Sequence, residues 1–325
     1  MKHTIHLFII LVIAASIVSC KTGKIELRLN PAHHSHYRML FNTEGKVSVN
    51  VAGKDFNTDV HTGIASQIRI DTIGNDKYRF AMEYEDYDIS QQVNGKKIDL
   101  KQLPPDSSGD LNKVNNFFRG LLFLSVVNKT GKSEETSTPD SLYERLDSNL
   151  AGIPEEARKK MMAAIGPLLS NNMAKGMLDQ CFYVLPEEKV NIGDSWSNEI
   201  VLQNMFSMVM NSEYTLVEVK DSVALLKVHS DIKPGKNDFI MPGLAMAAPK
   251  SSEPNPGEGG LDLMGMKMLA SFEGTQDGLD WVNMKTGMVQ KNTLNQDLKG
   301  KVSISILDLP MSMKMVTGYR VEQIM

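Results

Sequence analysis

Three histidines within four residues, His33, His34 and His36, are the group whose type and spacing most invite chemistry. Neutral imidazoles suit zinc, copper or nickel, and three so close together could converge on one ion. They follow Pro31 between two segments that read as strands, however, so a solvated turn explains them as well. Adjacent histidines also point to opposite faces wherever a strand begins. His61 and His229 stand alone and read as ordinary strand residues. The chain has 21 methionines, and they cluster as Met264, Met266, Met268 and as Met311, Met313, Met315. At i, i+2, i+4 of a strand each trio shares one face. Such a trio could sit in the core, line an adaptable apolar cavity, or bind soft Cu(I).

Other candidates lose on inspection. Gly193-Asp194-Ser195-Trp196 lacks the closing glycine of a nucleophile elbow and reads as a turn with Trp196 packed beneath it. "VVNKTGKS" has Val126 where a phosphate loop needs its first glycine. "EYEDYD" is expected to place Glu83, Glu85 and Tyr87 on one face of a strand and Tyr84, Asp86 and Asp88 on the other, as a solvated strand. Cys181 lies in the apolar "MLDQCFYVL" and reads as a small core residue without an activating neighbour. No HExxH, CxxC or Ser/His/Asp arrangement occurs, so the chain reads as non-enzymatic: no catalytic residue, metal ligand or cofactor is assigned. A net charge of −4 without a basic run gives no support for a nucleic-acid partner.

The elements that must position these residues are mostly strands. Of 325 residues, 42% are hydrophobic and 23% charged, a globular composition. Period-two alternation from residue 24 to about 100 predicts short antiparallel strands, beginning with "KIELRLN", with hairpin turns at Gly74-Asn75-Asp76 and at Asn94-Gly95. "LPPDSSGD" (103–110) reads as a loop, and "FFRGLLFLSVVNKTGK" as an apolar strand ending in a turn. Two or three helices follow over 139–181, where Pro154 opens one and Gly166-Pro167 interrupts the run. Strands resume at 196, turn at Lys220-Asp221-Ser222, and end in four or five more after a Pro/Gly/Ser-rich loop, 234–260. About twelve strands around a 2–3 helix insert predict a mainly β (α+β) fold. Its core is a large curved antiparallel sheet or half-open barrel with the helices on the concave face.

The N-terminus is different. A basic start, about a dozen apolar residues and a small residue before Cys20 describe a secretory signal too short to span a bilayer. Ile17-Val18-Ser19-Cys20 resembles the lipobox of bacterial lipoproteins. That resemblance implies cleavage after residue 19, acylation of Cys20 (the palmitate type of modification), and anchoring of the mature chain to a membrane by its N-terminal acyl chains. If Cys20 is acylated, Cys181 has no disulfide partner. The expected organisation is a signal peptide over 1–19, anchor and tether over 20–23, and one β-rich domain over 24–325. That domain divides into strands over 24–132, helices over 139–181 and strands over 196–325.

"PEEKVNIGDSWSNE", with Pro186, Val190, Gly193, Asp194, Ser195 and Trp196, followed by "GTQDGLDWVNMKTGMV", resembles an uncharacterised bacterial lipoprotein family, domain-of-unknown-function family 6263. The likeness covers roughly residues 24–322, with the signal and lipobox. It departs at the 234–260 insertion and at the histidine cluster. A more distant likeness, by architecture, is to LolA-type periplasmic lipoprotein carriers. The expectation is a lipoprotein of the outer membrane, at its periplasmic face, that binds an apolar ligand or an envelope protein in a curved-sheet cavity. A structural scaffold is the alternative, and periplasmic copper handling a third reading.

Overall fold

A computed structural model describes residues 23–93, 96–99, 119–137, 155, 171–203, 207–235, 268–304 and 307–324. Twelve strands and one helix lie among them: β1 (Ser35–Val51), β2 (Lys54–Gly74), β3 (Lys77–Val93), β4 (Lys96–Asp99), β5 (Leu122–Asn128), β6 (Ser133–Ser137), α1 (Asn171–Phe182), β7 (Ser195–Gln203), β8 (Ser207–Lys220), β9 (Val223–Pro234), β10 (Met268–Asn283), β11 (Val289–Ile304) and β12 (Leu307–Ile324). All belong to one antiparallel sheet in the order β6-β5-β3-β2-β1-β12-β11-β10-β9-β8-β7, with β4 on β3. The six-strand, helix, six-strand layout is as expected, and among the described residues β6 and β7 are the two edges of the sheet and do not pair with each other.

The first and last strands meet in the middle of the sheet, in register from His36 opposite Ile324 to Val49 opposite Met311. The turns expected at Asn75-Asp76 and Asp221-Ser222 are two-residue hairpins, and Asp76, Asp221 and Ser222 take positive φ. Val93 opposite Lys96 closes the hairpin around residues 94 and 95.

Three expectations are corrected. The N-terminal strands are not short: β1 runs 17 residues and β2 runs 21, and each is paired along most of its length on both sides. The C-terminal region forms three long strands, β10–β12, not four or five. "KIELRLN" is not a strand of the sheet. Its alternation is real, but it makes a single bridge, Ile25 with Val190, and then crosses one end of the barrel as a strap. Leu29 N–H donates to the Lys129 carbonyl, Asn30 N–H to the Thr286 carbonyl, and Leu27 and Leu29 are buried in the core. The helices expected before residue 171 lie outside the described residues, apart from a helical Glu155.

α1 stands in the opening between the two edge strands and packs on β5, β6 and β7. Its buried stripe is Ala174, Leu178, Cys181 and Phe182, spaced one helical turn apart. Phe182 meets Phe80 edge-on at 5.4 Å. Gly176, an unfavourable residue in a helix interior, lies against β7, where an added Cβ would come within 3.2 Å of the Val201 carbonyl oxygen. The last carbonyls of a helix have no partner inside it. Here side chains of the sheet supply one for the helix and two for the turn after it: Tyr319 O–H donates to the Cys181 carbonyl, Asn198 Nδ2 to that of Tyr183 and Trp196 Nε1 to that of Val184. On the other flank the buried Asp179 carboxylate accepts the Ser133 N–H of β6 at 2.6 Å and pairs with Lys175. The helix thus joins the two edges.

Asp179→Ala should therefore destabilise the chain by about 2–3 kcal/mol, since it strands a buried N–H that met a charged acceptor. Lys175→Ala, which removes a partly exposed partner, should cost under about 1 kcal/mol. Urea unfolding of the two variants measures the difference.

Candidate functional site

Strand register sorts the inner face, which carries the core, into rows that run across the strands. Rows near α1 and the strap are mainly apolar: Met39, Ile68, Phe80, Leu216 and Leu226 are buried there. A second apolar cluster lies further along β7–β12, with Ile200, Met210, Ile232, Phe272, Leu298 and Met313. Between them runs one row of polar side chains, Asn198, Ser212, Ser230, Gln276 and Gln296, each opposite the next. Ser212 and Ser230 hydroxyls lie 2.8 Å apart, Gln276 Nε2 donates to Ser230 at 3.5 Å and Gln296 Nε2 to Gln276 at 2.6 Å. Buried polar groups are tolerable only when paired in this way. The sequence analysis missed this belt. Its signal was present: each member sits on the apolar phase of its strand's alternation, as Ser212 does between Met210 and Tyr214.

Asp280 lies close by, 3% exposed. Asn292 donates to its carboxyl, the Asn292 oxygen is held by Tyr319 N–H, and Asp280 Oδ1 has no partner. Burial pushes its pKa up to about 7. It borders a cavity of about 10 Å³, the space of one water molecule, together with Gln180 of α1, Gln276 and Tyr214.

In line with the belt and to either side of it, the inner face of β1, β2 and β12 carries no charged residue from Thr43 to Val51, from Phe56 to Ile64, or from Leu309 to Thr317. Met311, Met313 and Met315 do share this face, with Met313 buried and the others half-buried beside Val47. Gly45 makes room for the Met315 side chain, which a Cβ there would meet at 2.7 Å. Val49 is opposite Met311 and opposite Phe56, which is 39% exposed. The surface is apolar and not sealed. Met264 and Met266 lie outside the described residues.

The opposite, outer face holds a hollow of about 840 Å³. Most of its lining is two rows across six strands: Asp277, Asn295, Val316, Glu44, His61 and Ser90, and beside them Thr275, Asp297, Lys314, Lys46, Asp59 and Gln92; between the rows it also reaches Gly45, Val60, Gln296 and Met315, which belong to the other phase of the strands. Lys46 and Lys314 stand directly opposite each other, each leaning to an aspartate, at 3.9 Å to Asp59 and 3.5 Å to Asp297. His229, at one margin, bonds Asp277 at 2.7 Å, which raises the imidazole pKa.

The other residues singled out in the sequence fall as follows. His33 and His34 converge with Asp71 into a group with metal-ligand spacing, while His36 points elsewhere, exposed on the strand. His34 Nδ1 meets Asp71 at 2.5 Å, but His33 Nδ1 accepts the Thr72 N–H, which puts the proton of its neutral ring on Nε2. In this arrangement His33 offers no free lone pair to a metal. Cys181 is buried and free, and burial pushes its thiol up to about 12. Ser195 bonds Thr215, and Asp194 closes the preceding turn by accepting from Asn191. "VVNKTGKS" is the β5–β6 turn, closed on Asn128 Oδ1. In "EYEDYD" a β-bulge at Glu85 resets the alternation, so Tyr84 enters the core while Asp86 and Asp88 are exposed; the expectation that these three share a face is corrected. Cys20 lies outside the described residues.

The profile of a family of unknown function (DUF6263) matches residues 75–289, two thirds of the sequence. The chain belongs to this family. The match runs from the β2–β3 turn to the start of β11, narrower than the expected 24–322, and leaves the signal and lipobox outside. No curated protein matches the chain. Among solved structures, lipovitellin is similar over 90% of this chain and 25% of its own at 5% identity, with a TM-score of 0.44. This chain thus spans about a quarter of the lipovitellin chain's length. An outer membrane channel from Pseudomonas putida F1 is similar over 90% and 97% of the two chains at 8% identity and a TM-score of 0.25. A DUF1329 family protein from Desulfovibrio piger follows with 85% and 83% coverage, 8% identity and a TM-score of 0.14. Such likenesses reflect large antiparallel sheets and carry no argument about what this family member does.

The buried carboxyl generates a pH prediction. Its folded pKa is raised, so the folded state binds the proton more tightly; the stability Asp280 contributes is full at about pH 4 and is lost as pH rises to about 7. Asp280→Asn should be near neutral in effect at pH 4.5 and stabilising by about 1–3 kcal/mol at pH 8, measured by urea unfolding at both pH values.

Proposed function

We propose that this family member is a lipid-anchored protein of the bacterial cell envelope, non-enzymatic, which holds an apolar ligand against the inner face of its sheet. The observation that carries this reading is the charge-free, half-buried surface of Val47, Val49, Val60, Met311 and Met315, continuous with the core yet left open at Phe56. Strands that enclose only a core would bury these side chains fully, and Met is suited to ligands of variable shape. The likeness to LolA-type carriers rests on the same arrangement, a half-open antiparallel sheet with a helix across its opening. Attachment follows from the lipobox at Cys20. Its acyl chains would hold the domain at the outer membrane, on the periplasmic side, and two or more chains are needed for a stable anchor.

The outer hollow favours a second reading, a scaffold for other envelope proteins, because its charged rows suit a polar partner rather than a lipid. The two readings use opposite faces and can be separated. Delipidated protein should take up a fluorescent fatty-acid analogue with fixed stoichiometry. Val49→Asp or Met315→Glu should weaken uptake at least about tenfold, one buried charge against an apolar ligand, and Lys46→Ala with Lys314→Ala should leave it unchanged. No uptake by the folded protein sinks the ligand reading, and a single dominant cross-linked neighbour in whole cells would then favour the scaffold. For the anchor, radioactive palmitate should label the wild-type chain in cells and fail to label Cys20→Ala.

A further inference from the structure

Among the described residues, the buried acid without an ion pair, Asp280, lies next to α1, where the sheet is joined by side chains and not by a strand ladder. Every strand next to β10 is held by a ladder of backbone hydrogen bonds, whereas the C-terminal end of α1 and the two residues that follow it are held to the sheet by three side-chain donors, from Tyr319, Asn198 and Trp196. Asp280, whose Oδ1 is buried without a partner, lines the water-sized space together with Gln180, one residue before Cys181. The groups that face it are Gln180 and Cys181 from α1, Ile200 from β7, Tyr214 from β8, Leu226 and Val228 from β9, Gln276 on β10 itself, Asn292 and Leu294 from β11, and Tyr319 from β12. None is a cation, and no described Lys, Arg or His pairs with Asp280. Its ionised form therefore has one donor, from Asn292, and no counter-charge.

We propose that Asp280 is a proton-operated latch on α1: protonated, it lies sealed beneath the helix; ionised, it draws in water and lets the helix lift from β7 and β12. Local opening is the cheaper response, because it hydrates the carboxylate without breaking a strand ladder. Lifting α1 frees the Cys181, Tyr183 and Val184 carbonyls and opens the seam between the sheet edges at its point of closure. The latch does not depend on the ligand reading, since it concerns the seam alone.

Cys181 reports on the opening. With Cys20→Ser in the full chain it is the single thiol, because the sequence holds two cysteines. Its reaction with a neutral disulfide reagent is followed from pH 5 to 9, each rate divided by that of the same chain in urea to remove thiolate ionisation. The corrected rate should rise about tenfold per pH unit from pH 5 to 7, where the buried acid titrates, and level off above it. In Asp280→Asn it should be flat. A flat profile in the parent, or an equal slope in Asp280→Asn, overturns the proposal. Hydrogen exchange of the parent decides independently should Asp280→Asn fail to fold: α1 amides should lose protection over the same pH range while β11 and β12 keep theirs. Loss in all of them together would mean global unfolding and overturn the latch.

Discussion

The pairing of β1 with β12 is the constraint on which the rest of the molecule depends. Because the two ends of the sequence meet at the centre of the sheet, each half must build outward from that seam, and the free edges fall to β6 and β7 in the middle of the chain. The segment between those strands has to travel from one edge of the sheet to the other. Exposed edges invite pairing with other chains, and the chain answers by placing a helix between them. α1 is bonded to β6 through Asp179, and the turn that ends it is bonded to β7 through Asn198 and Trp196. Closure by a helix differs from closure by a strand. Side chains hold it, so it can respond to the state of a side chain.

The same sheet presents two unlike faces. Along β1, β2 and β12, alternate residues are charge-free on the inside and rich in Lys, Asp and His on the outside, over the same stretch of backbone. The polar belt from Asn198 to Gln296 runs between two apolar clusters on the inside, and the half-buried surface begins on β12, β1 and β2, where that row continues through Met315, Gly45 and Val60. A hydrogen-bonded row of this kind fixes strand register more sharply than an apolar row would, since a slip of one residue would leave every member unpaired.

Much of the architecture was legible in the sequence. Hairpin turns at Asn75-Asp76 and Asp221-Ser222, the helix that ends near Cys181, and the shared face of Met311, Met313 and Met315 all follow from local pattern, and local pattern is what period and turn chemistry encode. What failed was non-local. The strap at Leu27 and Leu29 alternates like a strand, but no sequence rule says whether an alternating segment will find a partner along its length. The bulge at Glu85 reverses a face by one residue and leaves no mark in the composition. Asp280 and the belt were visible as polar residues on the apolar phase, yet a pattern search rewards the majority and passes over such exceptions. His33 and His34 do come together, with Asp71 and not with His36, because His34 takes a left-handed turn.

The strap has a bearing on how the molecule would present itself in space. The chain enters the fold at the end that Leu27 and Leu29 close, and the open apolar surface lies toward the far tips of β1 and β12. At about 3.3 Å per residue, the 17 residues of β1 place that tip some 50 Å from the point of entry. A protein held by its N-terminus would therefore stand on its closed end and carry its open end across a hemisphere of roughly that radius. Its reach would be set by strand length.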